Sequence, residues 1–231
     1  MQRGKLTPNV ALAAILSFTV FAAFAANDSA SLVVKGRIVP PACDLKLSDS
    51  VVDFGDIHPG DLKWGEFTVL KDKNFNLSIT CAAPSRVALN AVDNRRNTRV
   101  IPYGVDMAVG VPTTTNANYY LFGLGQTGTS KIGSFSLWSD STYTVDGKNI
   151  SRSAIYSING GSSWDSFRTL FISTVLASSK KEGGEHPNIP HPFKTLSAKM
   201  NLRAAINKPS ELDFTKELKL DGQINIQLTY L

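Results

Sequence analysis

The alternation of apolar and polar residues is the main structural signal in this chain. From Glu217 to Tyr230 the even positions are apolar, aromatic or glycine, and the odd positions are polar. Period-2 alternation of this length predicts a strand with one buried face. We predict one long strand, bent or bulged at Gly222. A hairpin at Asp221-Gly222 is the alternative, and it is less favourable because it would place Leu220 and Gln223 on the same face.

A second alternating segment lies near the N-terminus. One of its faces carries small or apolar side chains and one glycine: Ala30, Leu32, Val34, Gly36 and Ile38. The opposite face carries Ser31, Lys35 and Arg37, with Val33 and Val39 as exceptions. We therefore predict an amphipathic strand here as well. The alternation by itself also fits an ordinary edge or core strand of a complete sandwich.

Between these two segments, short alternating stretches are separated by Gly, Pro and Asn. Strands are predicted at residues 51–57, 64–70, 75–81, 87–91 and 196–206. The region from Gly104 to Gly161 is typical of loops and short strands, and only residues 164–178 leave room for a helix. Many short strands and almost no helix predict an all-β sandwich with enlarged loops.

The first residues have the composition of an export signal. Arg3 and Lys5 precede an apolar run at residues 10–22. A small-x-small cleavage site follows at residues 23–25. We predict a signal peptide at residues 1–25, an N-terminal extension at 26–39 and a sandwich domain at 40–231. The apolar run is too short to span a bilayer comfortably, so we expect export without a membrane span after cleavage.

The chain has two cysteines, Cys43 and Cys81. In an oxidising compartment we expect them to form a disulfide that closes a loop of about 38 residues and contributes about 4 kcal/mol. The alternation of residues 75–81 places Cys81 on a core face, where it can meet Cys43 between the two sheets. Free thiols and a zinc or redox site are disfavoured, since neither cysteine has a second cysteine or a histidine close by.

The charged residues give no indication of nucleic-acid binding. The net charge is +5, but the basic residues are scattered, and only Arg95-Arg96 and Lys180-Lys181 are adjacent. Asp93 precedes the first of these pairs and follows a predicted strand. The three charged residues 93, 95 and 96 could recognise a ligand, although a salt-bridged turn is the default interpretation.

The three histidines are the only candidates for metal chemistry. His58 precedes a proline in a predicted turn. His186 and His191 share a Gly/Pro-rich loop with Glu182 and Glu185. The spacing is irregular and the backbone of such a loop is flexible, so a solvated loop is favoured over a metal site.

Serines and aromatic residues suggest two further kinds of site. Ser162 and Ser163 follow two glycines, but no G-x-S-x-G motif and no nearby base accompany them. Trp138, Trp164 and the pair Tyr119-Tyr120 could form a sugar-binding platform. Buried aromatic side chains are the usual explanation in a sandwich. We therefore predict no catalytic residues, no metal and no cofactor.

Several segments resemble the pilins of chaperone-usher fimbriae. An alternating extension runs into the first cysteine in GRIVPPAC, residues 36–43, and Cys81 ends an alternating strand. Tyr230 matches the penultimate tyrosine of pilins. Further segments are similar to a narrower family of exported, fimbrial-like proteins of Gram-negative bacteria, grouped as a domain of unknown function: LSITCAAP (77–84), DNRRNT (93–98), FGLG (122–125), KIGSF (131–135) and LDGQINIQLTYL (220–231).

The resemblance implies an immunoglobulin-like, pilin-like sandwich that lacks its last strand and so has a hydrophobic groove and an unpaired edge. A periplasmic pilus chaperone would lend a strand, and the extension of another fimbrial subunit would replace it at the outer-membrane usher. The donor-strand face would consist of Ala30, Leu32, Val34, Gly36 and Ile38. The acceptor edge, which also contacts the chaperone, would consist of Ile224, Ile226, Leu228 and Tyr230.

These observations lead to two hypotheses of different classes. The first is a fimbrial-like structural or accessory subunit in the periplasm or on a surface fimbrium, assembled by donor-strand exchange. The alternative is a free-standing periplasmic or secreted binding module whose sandwich is completed by its own N-terminal strand. An enzyme is not expected, because a hydrolase needs a cluster of acid, base and nucleophile that the sequence does not contain.

Overall fold

A computed structural model describes residues 30–39, 42–108, 111–113, 120–151, 154–157, 162–166, 175–178 and 189–231. The chain divides into two units, Met1–Val39 and Pro40–Leu231. The predicted signal peptide lies outside the described residues. Within the described ranges, no helix is long and apolar enough to cross a membrane.

The second unit is an all-β sandwich, which confirms the predicted fold class. In chain order the strands of the described residues are β1 (Cys43–Leu47), β2 (Thr68–Val69), β3 (Lys73–Ser85), β4 (Val87–Asp93), β5 (Asp106–Ala108), β6 (Val111–Pro112), β7 (Phe122–Gly123), β8 (Gln126–Thr127), β9 (Ser130–Lys131), β10 (Gly133–Val145), β11 (Lys148–Ser151), β12 (Ala154–Ser157), β13 (Asp165–Ser166), β14 (Val175–Ser178), β15 (Phe193–Ile206) and β16 (Ile224–Tyr230). Short 3-10 helices lie at Pro59–Asp61, Arg96–Thr98 and Pro209–Glu211.

The strands form two antiparallel sheets. Sheet A has the order β1-β3-β15-β10-β11, with β2 beside β15 and β7 beside β10. Sheet B has the order β13-β12-β14-β4-β16. Two small hairpins, β5-β6 and β8-β9, form separate two-stranded sheets. The first strand of the sandwich, β1, and its last strand, β16, are therefore edge strands of different sheets.

The core lies between the two sheets. Because side chains alternate along a strand, each long strand presents one apolar face inward. Inward-facing residues of β3, β4, β10 and β15 include Leu77, Ile79, Val87, Leu89, Phe135, Leu137 and Met200, and all of them are buried. This is the pattern that the alternation at residues 75–81, 87–91 and 196–206 predicted.

The outer face of sheet A is also covered, by residues between β4 and β7. The hydroxyl of Ser136 donates a hydrogen bond to the carbonyl of Met107. The backbone N–H of Val100 donates to the hydroxyl oxygen of Ser134 at 2.8 Å. Met107 and Leu121 then pack against Ala205 of β15 in a second, smaller core. Residues 133–139 of strand β10 are thus buried on both faces.

This second cover corrects the interpretation of residues 104–161 as loops and short strands only. Strand β10 is 13 residues long and lies in sheet A between β15 and β11. Ser134 and Ser136 of β10 face the smaller core. Because these buried positions are polar, the sequence of β10 does not show the apolar residues expected of a buried strand. A register shift between Ser139 and Tyr143 divides it further. The proposed helix near residues 164–178 is also wrong where the chain is described, since β13 and β14 lie there.

Three predicted strands are shorter than expected or missing. Residues 51–57 form no strand, and of residues 64–70 only β2 is a strand. The predicted strand from Glu217 to Tyr230 is regular only in β16. At Gly222 the chain leaves sheet B, because the N–H of Asp221 donates to the carbonyl of Leu124, which follows β7 of sheet A. The expected bend is present, and it ends the strand.

Candidate functional site

A groove runs between the edge strands β1 and β16. Its first half encloses about 660 Å³ and is lined by β1 and residues 49–54 on one side and by residues 220–227 on the other. Its second half encloses about 670 Å³ and continues between residues 51–62 and 212–220. Val52, Phe54 and Leu220 line both halves. We call the two halves together the groove.

Strand β16 forms one wall of the groove. Its apolar side chains Ile224, Ile226 and Leu228 pack against the core but stay only half-buried, while Asn225 and Gln227 are exposed. The alternation of this segment therefore correctly predicted which side chains face inward. The described residues cover these three side chains only in part.

The backbone of β16 is paired on one side only. The carbonyl of Gln223 accepts from Asn94 N–H, and Leu231 N–H donates to the carbonyl of Arg86, both at 3.0 Å. In an antiparallel ladder alternate residues face the partner strand, so the odd positions of β16 bond to β4. The even positions, from Ile224 to Tyr230, direct their N–H and C=O groups away from β4. Among the described residues no strand pairs with that edge.

Residues 49–57 form the opposite wall. Val52 and Phe54 pack against the core and are half-buried, whereas Asp53 and Asp56 are exposed. The side chains therefore alternate as predicted for a strand. No ladder forms, because the position beside this segment is the open groove. At Gly55, which has φ of 70°, the chain turns, and its N–H donates to the Asp53 carboxylate at 2.8 Å.

Towards the disulfide the lining of the groove ends at Leu45 and Gln227, and we call this the Cys43 end. Cys43 and Cys81 are bonded, as predicted. They face each other on the neighbouring strands β1 and β3, so the disulfide lies within sheet A and not between the sheets as expected. The hydroxyl of Tyr230 accepts a hydrogen bond from the N–H of Cys43 at 2.8 Å. Tyr230 thus joins the end of β16 to the start of β1.

The other end lies beside the two 3-10 helices at Pro59–Asp61 and Pro209–Glu211, and we call it the Leu212 end. Leu62, Leu212 and Phe214 line the groove here. His58 precedes the first of these helices, and its backbone N–H donates to the Asp61 carboxylate at 3.0 Å. His58 is therefore the N-cap residue of this 3-10 helix.

A charged cluster lies where the chain crosses between the sheets at Gly222. The side chain of Asp93 is 1% exposed, and it accepts hydrogen bonds from the N–H of Arg95 at 2.8 Å and of Gly123 at 3.1 Å. Arg99 Nε lies 3.8 Å from the same carboxylate. Burial lowers the pKa of Arg99, and the attraction of Asp93 partly opposes this shift. Asp93 therefore has a structural role at the end of β4.

Arg95 extends this cluster to the segment before β16. Its Nε and terminal nitrogen contact the two carboxylate oxygens of Asp221 at 2.8 and 3.1 Å. This bidentate bond raises the pKa of Arg95 above its ordinary value, with the charge of Asp221 as the next cause. The geometry matches a salt-bridged turn, while Arg96 is exposed.

Two glycines allow the close packing at this crossing. A Cβ at Gly222 would lie 2.8 Å from Phe135 Cε1 and 3.2 Å from the carbonyl oxygen of Gly123. A Cβ at Gly123 would lie only 2.2 Å from the carbonyl oxygen of Arg95. The sequence segments DNRRNT, FGLG and LDGQ therefore meet at one place and hold the middle of the groove wall in position.

The N-terminal extension differs from its predicted conformation. Residues 30–39 form no strand in the single chain, because none of them takes part in a ladder. Leu32, Val34 and Ile38 are 89%, 87% and 100% exposed. A Cβ added to Gly36 would meet nothing within 4 Å. The donor face itself, residues 30, 32, 34, 36 and 38, stays a prediction.

Among the described residues, the remaining candidates do not form a site with one another. Trp138 and Tyr120 are each 6% exposed, and Trp164 is half-buried, so they offer no open platform. Four of these candidates lie outside the described residues: Tyr119, Glu182, Glu185 and His186. The two glycines before Ser162, Gly160 and Gly161, also lie outside them. Within the described part of the chain, no group of three or more His, Cys, Asp or Glu side chains could hold a metal ion.

Comparisons with known proteins give one family model and two relatives. A family model described as a protein of unknown function, DUF1120, matches residues 32–136. The uncharacterized protein YhcF of Escherichia coli (strain K12) is 27% identical over 220 residues, which cover 89% of this chain and 92% of the relative. The protein GltF of the same strain is 28% identical over 250 residues, which cover 96% of each chain. These matches agree with the resemblance to a domain of unknown function, and the relation to chaperone-usher pilins stays a prediction.

Proposed function

We propose that this protein is a fimbrial-like structural or accessory subunit that assembles by donor-strand exchange. The proposal rests on the presence of two complementary parts in one chain. It has a groove beside an unpaired strand edge, and it has an exposed extension with an alternating apolar face. A periplasmic chaperone and an outer-membrane usher are the partners that the resemblance to pilins implies.

The energetics of the groove support this function. The unpaired edge of β16 offers backbone donors and acceptors to an added strand, and such β-augmentation supplies main-chain hydrogen bonds. The half-buried side chains Ile224, Ile226 and Leu228 would be covered at the same time. Fully burying a side chain such as Leu32 or Val34 contributes about 1.5–3 kcal/mol relative to leaving it exposed. A strand with several such residues would therefore be held firmly.

No catalytic role is proposed. The groove is lined by aliphatic and aromatic side chains together with exposed polar and charged ones. Within the described part of the chain, no group of three or more His, Cys, Asp or Glu side chains could hold a metal ion there. The alternative function is a free-standing binding module whose own extension fills the groove. In that case residues 30–39 act in the same chain, and the chain needs no chaperone.

The first test compares two neighbouring valines of the extension in the mature chain. Val33 is 70% exposed and Val34 is 87% exposed, so aspartate at either position leaves the sandwich intact. Each variant is expressed in a periplasm with and without a pilus chaperone and run on a denaturing gel without boiling. We expect a ladder of detergent-resistant oligomers for the parent chain and Val33→Asp, and none for Val34→Asp.

The result that overturns the proposal is a chaperone-independent monomer for the parent chain. The melting temperature of the monomer then identifies the alternative. If the extension completes its own sandwich, Val34→Asp lowers that temperature and Val33→Asp does not. If the extension does not enter the groove of its own chain, neither variant changes it.

A further inference from the structure

We infer that the outer face of sheet A carries a binding site for a neutral hexopyranose, either free or as part of a glycan. The site consists of Trp138, Asp140, Lys199 and Asn201, which we call the Asp140 cluster. It lies on β10 and β15, and none of its side chains lines the groove. The inference is therefore independent of the proposed strand exchange and goes beyond it.

The register of sheet A places the cluster on one face. Phe135 and Leu137 of β10 face the core, so Trp138 faces outward by alternation. Asn201 of β15 lies directly opposite Trp138, and Asn74 of β3 lies opposite Asn201 in turn. Side chains on strands are held more precisely than side chains on loops. The cluster is therefore a set of polar groups at fixed positions.

The indole N–H of Trp138 is the first observation that points to a ligand. Trp138 is 6% exposed, and the guanidinium of Arg203 covers its ring at 5.2 Å from the centroid. The N–H donates no hydrogen bond to the described residues, yet it is not sealed from solvent. The N–H of a buried tryptophan usually has a partner. This donor therefore stays available to a ligand.

Arg203 holds the indole ring in place. Its guanidinium makes two bonds of 2.8 Å to the carboxylate of Asp72. It also donates to the backbone carbonyl of Asp106 at 3.0 Å. Because these bonds fix the guanidinium, it forms a constant cover on the ring. The ring gives no stacking surface on that side, and its N–H is the group that remains.

Asp140 supplies an acceptor beside this donor. One of its carboxylate oxygens accepts a hydrogen bond from the side-chain amide of Asn201 at 2.7 Å. The other oxygen lies 4.0 Å from Lys199 Nζ, which is too far for a direct hydrogen bond. A gap of this size suits a bridging water or a ligand hydroxyl. A hydroxyl there can donate to the carboxylate and accept from the ammonium group at the same time.

The balance of charge defines the class of ligand. Asp140 is balanced by Lys199, and Arg203 by Asp72, so a charged ligand gains little net attraction. The groups that stay available are the indole N–H, the ammonium group, one carboxylate oxygen and the exposed amide of Asn74. A hexopyranose carries hydroxyls on adjacent carbons, and each of them both donates and accepts hydrogen bonds. Such a ligand matches this mixed set of donors and acceptors.

A protein partner is disfavoured at this face. Protein interfaces are centred on aromatic and other large anchors that become fully buried. Among the described residues, none of the large apolar side chains that are exposed belongs to β3, β10 or β15. A small hydroxylated ligand therefore fits the Asp140 cluster better than a protein surface does.

Binding is tested with the mature chain and defined sugars. The probes are the methyl glycosides of glucose, galactose and mannose, and the polysaccharides dextran, galactan and mannan, with heparin as a charged control. We expect at least one neutral probe to bind and heparin not to displace it. Binding of a glycoside shows that a single ring suffices, whereas binding of a polysaccharide alone identifies a glycan chain as the source. Binding of no neutral probe, or of heparin alone, would overturn the inference.

Two substitutions test the position of the site. Trp138→Phe removes the N–H and keeps an aromatic ring, so we expect the affinity to fall about two- to ten-fold. Asp140→Asn keeps an acceptor for Asn201 but removes the charge, and we expect a loss of about ten- to a hundred-fold. Asp44→Asn is the matched control, because Asp44 lies on the same sheet and pairs with Lys46 at 2.9 Å. It should leave the affinity unchanged, and an equal loss there would overturn the site.

A spectroscopic measurement separates binding from stability. The chain has three tryptophans, so an isotope-labelled chain gives three indole N–H signals by NMR, and Trp138→Phe identifies the signal of Trp138. We expect the sugar to shift this signal and to leave those of Trp64 and Trp164 in place. A shift of the other two signals alone would overturn the site.

The result for the sugar can be told apart from the result for assembly. Because the Asp140 cluster does not line the groove, Asp140→Asn should form the same ladder of detergent-resistant oligomers as the parent chain. Loss of the ladder in this variant would contradict the separation of the two sites. A parent chain that forms a ladder but binds no neutral probe would overturn this inference and leave strand exchange intact.

Discussion

The hydroxyl of Tyr230 accepts a hydrogen bond from the backbone N–H of Cys43 at 2.8 Å. This contact joins the last strand of the chain to the first strand of the sandwich across the open side between the sheets. Cys43 is in turn bonded to Cys81 of β3. The hydrogen bond therefore joins the two edge strands at the Cys43 end of the groove, while the disulfide fixes β1 to β3 within sheet A.

Removing this hydroxyl should weaken the sandwich without changing its packing. We expect Tyr230→Phe to lower the free energy of unfolding by about 1 kcal/mol, because the N–H of Cys43 loses its partner. Urea denaturation of the purified chain measures the change. Tyr103→Phe is the control, since Tyr103 is 60% exposed and lies away from β16. Equal effects of the two changes would show that the Tyr230 contact does not stabilise the chain.

The crossing at Gly222 gives a second prediction. A methyl group there would meet Phe135 Cε1 at 2.8 Å, so we expect Gly222→Ala to destabilise the chain by about 1–3 kcal/mol through overpacking. Gly123→Ala should cost more, because its Cβ would meet backbone atoms that cannot move aside. Gly36→Ala is the control, and its melting temperature should equal that of the parent chain. A neutral Gly222→Ala would mean that the Phe135 ring can shift.

These results explain how much of the fold the sequence could predict. Alternation correctly indicated the inward faces of β3, β4, β15 and β16, because burial on one face leaves a clear period of two. It indicated only short strands where the 13-residue β10 lies, because the serines of β10 face a second core formed by other segments of the chain. It also could not indicate that the strand before β16 ends at Gly222, since the cause is the hydrogen bond from Asp221 to Leu124.

For the candidate site, too, the sequence indicated which side chains face inward but not which segments meet. Ile224, Ile226, Leu228 and Tyr230 lie on β16, which is an edge strand of sheet B. Their role as an acceptor edge was implied by the resemblance to pilins and stays a prediction. The second wall was not recognised as part of a groove, although residues 51–57 were predicted to be extended. Sequence alone could not indicate that this segment lacks a partner strand. The cluster around Asp93 was correctly interpreted as a salt-bridged turn, but its contact with Asp221 required the tertiary structure.

The ion pair between Arg95 and Asp221 gives a third prediction. We expect Arg95→Gln and Asp221→Asn each to lower the melting temperature by less than Gly222→Ala does, because the pair is partly exposed and screened by water. The double variant should be no less stable than either single variant. The coupling should disappear in 1 M salt, where the Debye length is about 3 Å. A coupling that persists in salt would show that the geometry, and not the charge, holds the turn.

The pH dependence of this ion pair follows from the pKa of Arg95. Its hydrogen bond to Asp221 raises that pKa, so the folded state holds the proton more tightly than the unfolded state. The contribution is therefore fully present below the unfolded pKa and is lost only as pH rises through the folded one. Thermal melts between neutral and mildly alkaline pH should show no loss that depends on Arg95. A loss in that range, absent in Arg95→Gln, would contradict the assignment.

The glycine of the extension gives the last prediction. In the proposed assembly Gly36 lies on the face that enters the groove of another copy, where a large side chain would lack space. We expect Gly36→Leu to abolish detergent-resistant oligomers while the melting temperature of the monomer stays unchanged, because nothing lies within 4 Å of this position in the single chain. Ser31→Leu adds the same side chain to the opposite face and should assemble normally. Normal assembly of Gly36→Leu would remove Gly36 from the donor face, and failure of Ser31→Leu alone would place the opposite face in the groove.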